Sequence, residues 1–129
     1  MKQRGFTLIE LIVVMMIVGI LAATAVPKYV SLIDEAKLAS TKGILGGVRS
    51  AIAIDYARYV VQNNGSTAWP AKTNLTALMA NSSIPANPYN NLTSIADGAS
   101  PRATADSATY GWVYRAENGD FWASNNTGW

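Results

Sequence analysis

The first pattern along the chain is an apolar run. From Phe6 to Val26 there are 21 residues, and Glu10 is the one formal charge among them. At about 1.5 Å per residue the run makes roughly 31 Å of helix, close to the thickness of a bilayer's hydrocarbon core. From Pro27 onward the pattern changes. Tyr29, Leu32, Ile33, Ala36, Ile44, Val48, Ala51, Ile52, Tyr56, Tyr59 and Val60 recur at spacings of three and four, with Lys37, Lys42, Arg49 and Arg58 between them. That period predicts an amphipathic helix with one buried stripe, continuing the apolar run as a single element. Asn63-Asn64-Gly65 is a C-cap signal and marks its expected end. A helix from Phe6 to there has about 57 residues and a length of roughly 85 Å, too long for a compact domain of this size.

Past Gly65 the chain is rich in Asn, Ser, Thr, Ala and Pro. The segment "NLTALMAN", Asn74 to Asn81, reads as a short capped helix. "IPANPYNN" reads as a turn-rich loop, because Pro85 and Pro88 each restrict the residue before them. "TYGWVYRA" and "DFWAS" flank Glu117-Asn118-Gly119, and Asn-Gly is a strong hairpin signal. The expectation is a small antiparallel sheet lying on the second half of the long helix. Gly43, Gly46 and Gly47 weaken that helix by up to about 1 kcal/mol each. They mark either close approach of a neighbour or of the β domain, or simple tolerance.

Composition narrows the chemistry. The chain has neither Cys nor His, which removes disulfides, thiol catalysis, the commonest general base and the commonest metal ligand. No catalytic constellation remains, and no cofactor or enzymatic activity is expected. The formal net charge is +2, and Lys2 and Arg4 before the apolar run account for it. Residues 28–62 carry five basic and three acidic side chains, and residues 63–129 carry three and four. Nothing there is basic enough to predict a nucleic-acid partner. Lys2 and Arg4 ahead of the run place the N-terminus on the cytoplasmic side by the positive-inside bias.

Glu10 is the anomaly. A carboxylate inside a membrane segment costs on the order of 2.5–3.5 kcal/mol, so a plain anchor would not retain it without a partner. The segment "RGFTLIELIVVMMIVGILAATAVPKY" resembles the N-terminus of type IV pilins and of the pseudopilins of type II secretion systems. Gly5, Phe6, Thr7, Leu8, Glu10 and Pro27 around one apolar run carry the resemblance, which covers a quarter to a third of the chain. It implies cleavage between Gly5 and Phe6 by a prepilin peptidase that also methylates the new amine of Phe6. It implies that Glu10 neutralises that amine on a neighbouring subunit during assembly; a contact within the same chain is the local alternative.

The implied fold is α+β and pilin-like. Residues 1–5 are a leader, 6–27 the membrane and filament-core helix, 28–63 its amphipathic half, and 64–129 a small globular domain ending in a β-hairpin. The implied partners are further copies of the chain, the peptidase and methyltransferase, an inner-membrane assembly platform, and the membrane itself before assembly. A single pass of the inner membrane and then an extracellular or periplasmic filament follow. Pro27 removes a hydrogen bond and crowds the carbonyl of Ala23, and Gly19 adds a second weak point. In a lone subunit the helix is expected to persist there, and unwinding between Gly19 and Pro27 on assembly is what the resemblance suggests.

Three further features have plain alternatives. Tyr110, Trp112, Tyr114, Trp122 and Trp129 suggest a small aromatic core rather than an adhesive surface. Asp97, Asp106, Glu117 and Asp120 fit a solvated acidic surface better than a Ca²⁺ loop, since their spacing matches no loop motif. Asn64, Asn74, Asn81, Asn91 and Asn125 begin Asn-x-Ser/Thr triplets, which a chain of this composition produces by chance. Many pilins tie down the C-terminal region with a disulfide that this chain lacks, which leaves open what holds "SNNTGW". The reading is a pilus-like filament subunit, with a secretion pseudopilin and a non-polymerising membrane-tethered adhesion protein as alternatives.

Overall fold

The computed structural model describes residues 5–99, 102, 105 and 107–125. One helix, α1, runs Leu8–Gln62. Two short 3₁₀ turns follow at Lys72–Asn74 and Thr76–Leu78, and then strands β1 (Ile95–Asp97), β2 (Trp112–Arg115) and β3 (Asp120–Ala123). The chain divides into two compact units, residues 1–36 and residues 37–129.

In the first unit α1 stands without cover. Its most apolar window has none of its residues buried, and Leu8, Met15, Ile20 and Leu21 are all more than 60% exposed. The exposure continues past Pro27, where Tyr29, Leu32 and Ile33 remain open. The buried stripe predicted from Tyr29 therefore starts later than its period suggests. It consists of Thr41, Leu45, Val48 and Ile52, spaced four, three and four. Periodicity reports which face a helix could bury, but burial needs something opposite, and residues 29–36 are exposed among the described residues.

The second unit is built around that shorter stripe. Leu45, Val48 and Ile52 pack with Leu75, Ile84, Trp112, Tyr114, Phe121 and Ala123, all at most 1% exposed. The rings of Trp112 and Phe121 stack at 5.5 Å. The expected aromatic core is thus present, while Trp129 lies outside the described residues. On the other face of the sheet Trp122 and Val113 pack with Ala96. Thr41 is the one polar member of the helical stripe, and its hydroxyl donates to the Lys37 carbonyl at 2.8 Å, so its burial leaves no orphaned donor. Gly43, Gly46 and Gly47 face open space: a Cβ added at any of them meets nothing within 4 Å. Close approach of the β domain is excluded as their reason.

The hairpin joins β2 and β3 antiparallel, with Arg115 opposite Asp120 and Trp112 opposite Ala123. β1 adds to β2 in parallel, so the sheet is mixed where an all-antiparallel one was expected. Four residues, Ala116–Gly119, form the connection in place of a two-residue Asn-Gly turn. Gly119 has φ +74°, and a Cβ there would lie 2.3 Å from the Trp69 ring. Both the turn and the indole therefore demand glycine. Trp69 in turn stacks on Tyr56 of α1 at 4.1 Å. The helix expected over Asn74–Asn81 is replaced by the two 3₁₀ turns, neither of which has a side-chain cap. A single uncapped turn gains little from α-geometry, and Leu75 between the turns is fully buried, so packing decides the local path.

Asparagines do much of the pinning. Asn87 is fully buried; its amide donates to Gly111 O at 2.7 Å and to Asn125 Oδ1 at 3.2 Å, and its Oδ1 accepts from Tyr89 N–H at 3.0 Å. The Asn90 amide donates to Ser107 O at 2.7 Å and Tyr110 O at 2.8 Å. Ser124 N–H donates to Gly111 O at 3.1 Å. These bonds hold Ser124 and Asn125 with no disulfide; the remainder of "SNNTGW" lies outside the described residues. The hydroxyl of Tyr114 donates to Pro70 O at 2.7 Å. Burial, with the Asp55 charge second, pushes that phenol up to about 12.

A charged cluster closes the hairpin end. Asp120 accepts from Arg102 at 2.9 Å, from Arg115 at 2.5 Å and from the Asn118 amide at 3.0 Å. Arg102 also lies over the Trp122 ring at 5.7 Å. Arg49 Nε donates to Phe121 O at 2.9 Å. The Arg102 hydrogen bond foremost, with those from Arg115 and Asn118, holds the Asp120 carboxyl below its ordinary value against the opposing effect of burial.

Two outcomes follow from these contacts. Asn87→Ala strands buried backbone partners and is expected to cost roughly 2–4 kcal/mol, read as a lower urea midpoint at unchanged slope in detergent-solubilised protein. A depressed Asp120 contributes stability that is complete above the unfolded carboxylate's value and is lost as pH falls through the folded one. Asp120→Asn should therefore lower the melting temperature at neutral pH and flatten its fall on acidification. An unchanged acid limb in the variant would remove Asp120 as its source.

Candidate functional site

The sequence directs attention to the start of α1. Gly5 and Phe6 precede the helix, and Phe6 is 84% exposed. Thr7 occupies the N-cap position, its carbonyl accepting from Leu11 N–H at 3.3 Å. Glu10 sits three residues on. Its Oε2 accepts from the Thr7 backbone N–H at 2.8 Å and from the Thr7 hydroxyl at 2.7 Å. In return Thr7 Oγ1 accepts from Glu10 N–H at 3.3 Å. This is a reciprocal capping box, which satisfies donors that the first turn of any helix leaves open. The negative carboxylate also lies at the positive end of the helix dipole.

The capping partner is what reading Glu10 as an isolated charge missed. The signal was in the sequence, since "TLIE" has the Thr-x-x-Glu spacing of a capping box. Local capping thus accounts for one oxygen of Glu10. The other, Oε1, accepts no hydrogen bond from the described residues. Phe6, Ile9, Val13 and Val14 line an open apolar groove together with Glu10. A carboxylate oxygen with spare acceptor capacity in an apolar setting is suited to meet a cation.

Further along, α1 continues without interruption through Gly19 and Pro27. A Cβ at Gly19 would meet nothing within 4 Å. The Thr24 hydroxyl donates to Leu21 O at 3.0 Å, leaving it apart from the Ala23 carbonyl that Pro27 cannot serve. The candidate carboxylates are dispersed and mostly paired. Asp97 accepts from Lys72 at 2.5 Å, Asp120 belongs to the arginine cluster, Glu117 is exposed in the hairpin turn, and Asp106 lies outside the described residues. Among the described residues no three of His, Cys, Asp and Glu gather into a metal-binding group.

Comparison with known proteins bears on the same segment. Residues 1–26 match the family model described as the prokaryotic N-terminal methylation motif. The chain is 38% identical over 96 residues to the type IV narrow pilus major component PilA5 of Thermus thermophilus, covering 64% of this chain and 83% of that one. It is 32% identical over 126 residues to the type IV major pilin protein PilE of Neisseria gonorrhoeae, covering 98% of this chain and 70% of the relative. Type II secretion system core protein G of Pseudomonas aeruginosa is 47% identical over 51 residues, which is 40% of this chain and 36% of that protein. No solved structure gives a significant match. With a capped, uncovered apolar helix at its start, a small sheet packed on the helix's later turns, and two pilin relatives matched over most of their length, the chain belongs to the type IV pilin and pseudopilin family as a pilin-like filament subunit.

Proposed function

We propose that the chain is the structural subunit of a type IV pilus-like filament, assembled out of the inner membrane through α1. One observation carries this: fourteen large apolar side chains between Phe6 and Val26 are exposed. A soluble subunit could not leave that surface in water. Lipid covers it before assembly, with the N-terminus cytoplasmic, and helices of other copies cover it afterwards. The methylation motif supports cleavage between Gly5 and Phe6 followed by methylation of Phe6, which leaves a cationic amine next to Thr7. Glu10 Oε1 is then the acceptor for such an amine on a neighbouring subunit. Oε2 stays on Thr7.

The stretch from Gly19 to Pro27 is the place where the helix can open inside a filament, where neighbouring helices take the place of lipid. Two pilin relatives match most of the chain while the secretion-system relative matches 40% of it, which favours a pilus over a pseudopilus.

Processing has a direct measurement. Subunits sheared from cells should have an intact mass beginning at Phe6 with a methylated amine, and a bulky residue in place of Gly5 should abolish that species. A mature N-terminus anywhere else refutes the assignment. The two roles of Glu10 separate by substitution. Glu10→Gln keeps an acceptor for Thr7 and preserves the capping box, whereas Glu10→Ala removes it at a cost of about 1 kcal/mol. Both should insert into membranes, and both should lose filaments when each is the sole subunit. Normal filament yield from Glu10→Gln would reduce Glu10 to a helix cap.

A further inference from the structure

We propose that Asn64 is a site of spontaneous deamidation, at which the second Asn-Gly pair of the chain, Asn118-Gly119, is protected. The reaction needs a flexible backbone amide after the asparagine, and glycine supplies it because no Cβ obstructs the approach of its nitrogen. The Gly65 nitrogen attacks Cγ of Asn64 and the side-chain amide leaves as ammonia, closing a succinimide. Water then opens the ring to aspartate or isoaspartate. No other reactant is required.

The two pairs differ most in their asparagine side chains. Their glycine nitrogens are engaged alike, Gly65 N–H donating to Val60 O and Gly119 N–H to Arg115 O, each at 3.0 Å. Their asparagine side chains are not. Asn118 Oδ1 accepts from Arg115 Nε at 3.0 Å and from Asp120 N–H at 3.1 Å, and its amide donates to Asp120 Oδ2 at 3.0 Å. All three bonds break before Cγ can turn toward Gly119. The Asn64 side chain makes no hydrogen bond among the described residues, and both Asn64 and Gly65 are exposed. Asn64 is also left-handed, at φ 51°, followed by Gly65 at φ 90°. It is the C′ residue of the cap that ends α1, with Gly65 N–H reaching back to Val60. Both products place a new negative charge at the carbonyl-rich end of the helix, against its dipole. Isoaspartate also lengthens the backbone by one methylene where it leaves the helix for Trp69.

The test uses the full chain in detergent, incubated in mildly alkaline buffer and digested with trypsin at intervals. Asn64 reports in the peptide 59–72 and Asn118 in the peptide 116–129. In folded protein a gain of one mass unit should accumulate at Asn64 about tenfold faster or more than at Asn118, given the bonds that have to break. In urea-unfolded protein the two rates should converge. Asn64→Asp removes the side-chain amide without placing a glycine after Asn63, and should abolish the gain in peptide 59–72. Equal rates in folded protein, faster reaction at Asn118, or persistence of the gain in Asn64→Asp would each overturn the proposal.

Discussion

The first half of α1 is a strongly apolar helix that the described residues leave uncovered. Leaving fourteen such side chains in water would cost on the order of 15–25 kcal/mol, more than the whole net stability of a typical small domain. The core around Leu45, Val48 and Ile52 is built from later residues and leaves that surface open. The surface is therefore answered from outside, by lipid or by copies of the same chain. Membrane anchoring and assembly into a filament both answer this one imbalance.

The polar atoms of the first turn work within that constraint. The first turn of any helix leaves N–H groups open. The Thr7–Glu10 box satisfies the N–H groups of Thr7 and Glu10 within the chain and engages one carboxylate oxygen. The same residue can thus cap a helix and still present an acceptor to a cation. The two roles compete only if a partner pulls Oε2 away from Thr7.

The second unit solves the opposite problem, a short chain with little to bury. Three strands, one helical stripe and large rings make the core, and asparagine amides secure the loops around it. Asn87 and Asn90 bind backbone carbonyls from distant segments, a task that needs paired donors and acceptors on a short, stiff side chain. At the hairpin end Asp120 collects two arginines and an asparagine. Such a cluster holds the turn by charge and hydrogen bonding where the chain is too thin for apolar packing.

The sequence by itself determined the long helix, its apolar and amphipathic halves, its end after Gln62, the aromatic core, the hairpin and the family segment. These are local or periodic signals: a period of 3.6, a proline, an Asn-Gly pair, a basic start before an apolar run. Thr-x-x-Glu was equally local and belongs with them. Only the tertiary structure decided where the buried stripe begins, because burial at Thr41 rather than Tyr29 depends on what stands opposite. It also decided that β1 joins in parallel, that the Asn74–Asn81 segment turns as 3₁₀, and that Gly43, Gly46 and Gly47 face open space. The roles of Asn87 and Asn118 were likewise out of reach, since a polar side chain's value depends on partners that only the folded chain brings within 3 Å or so.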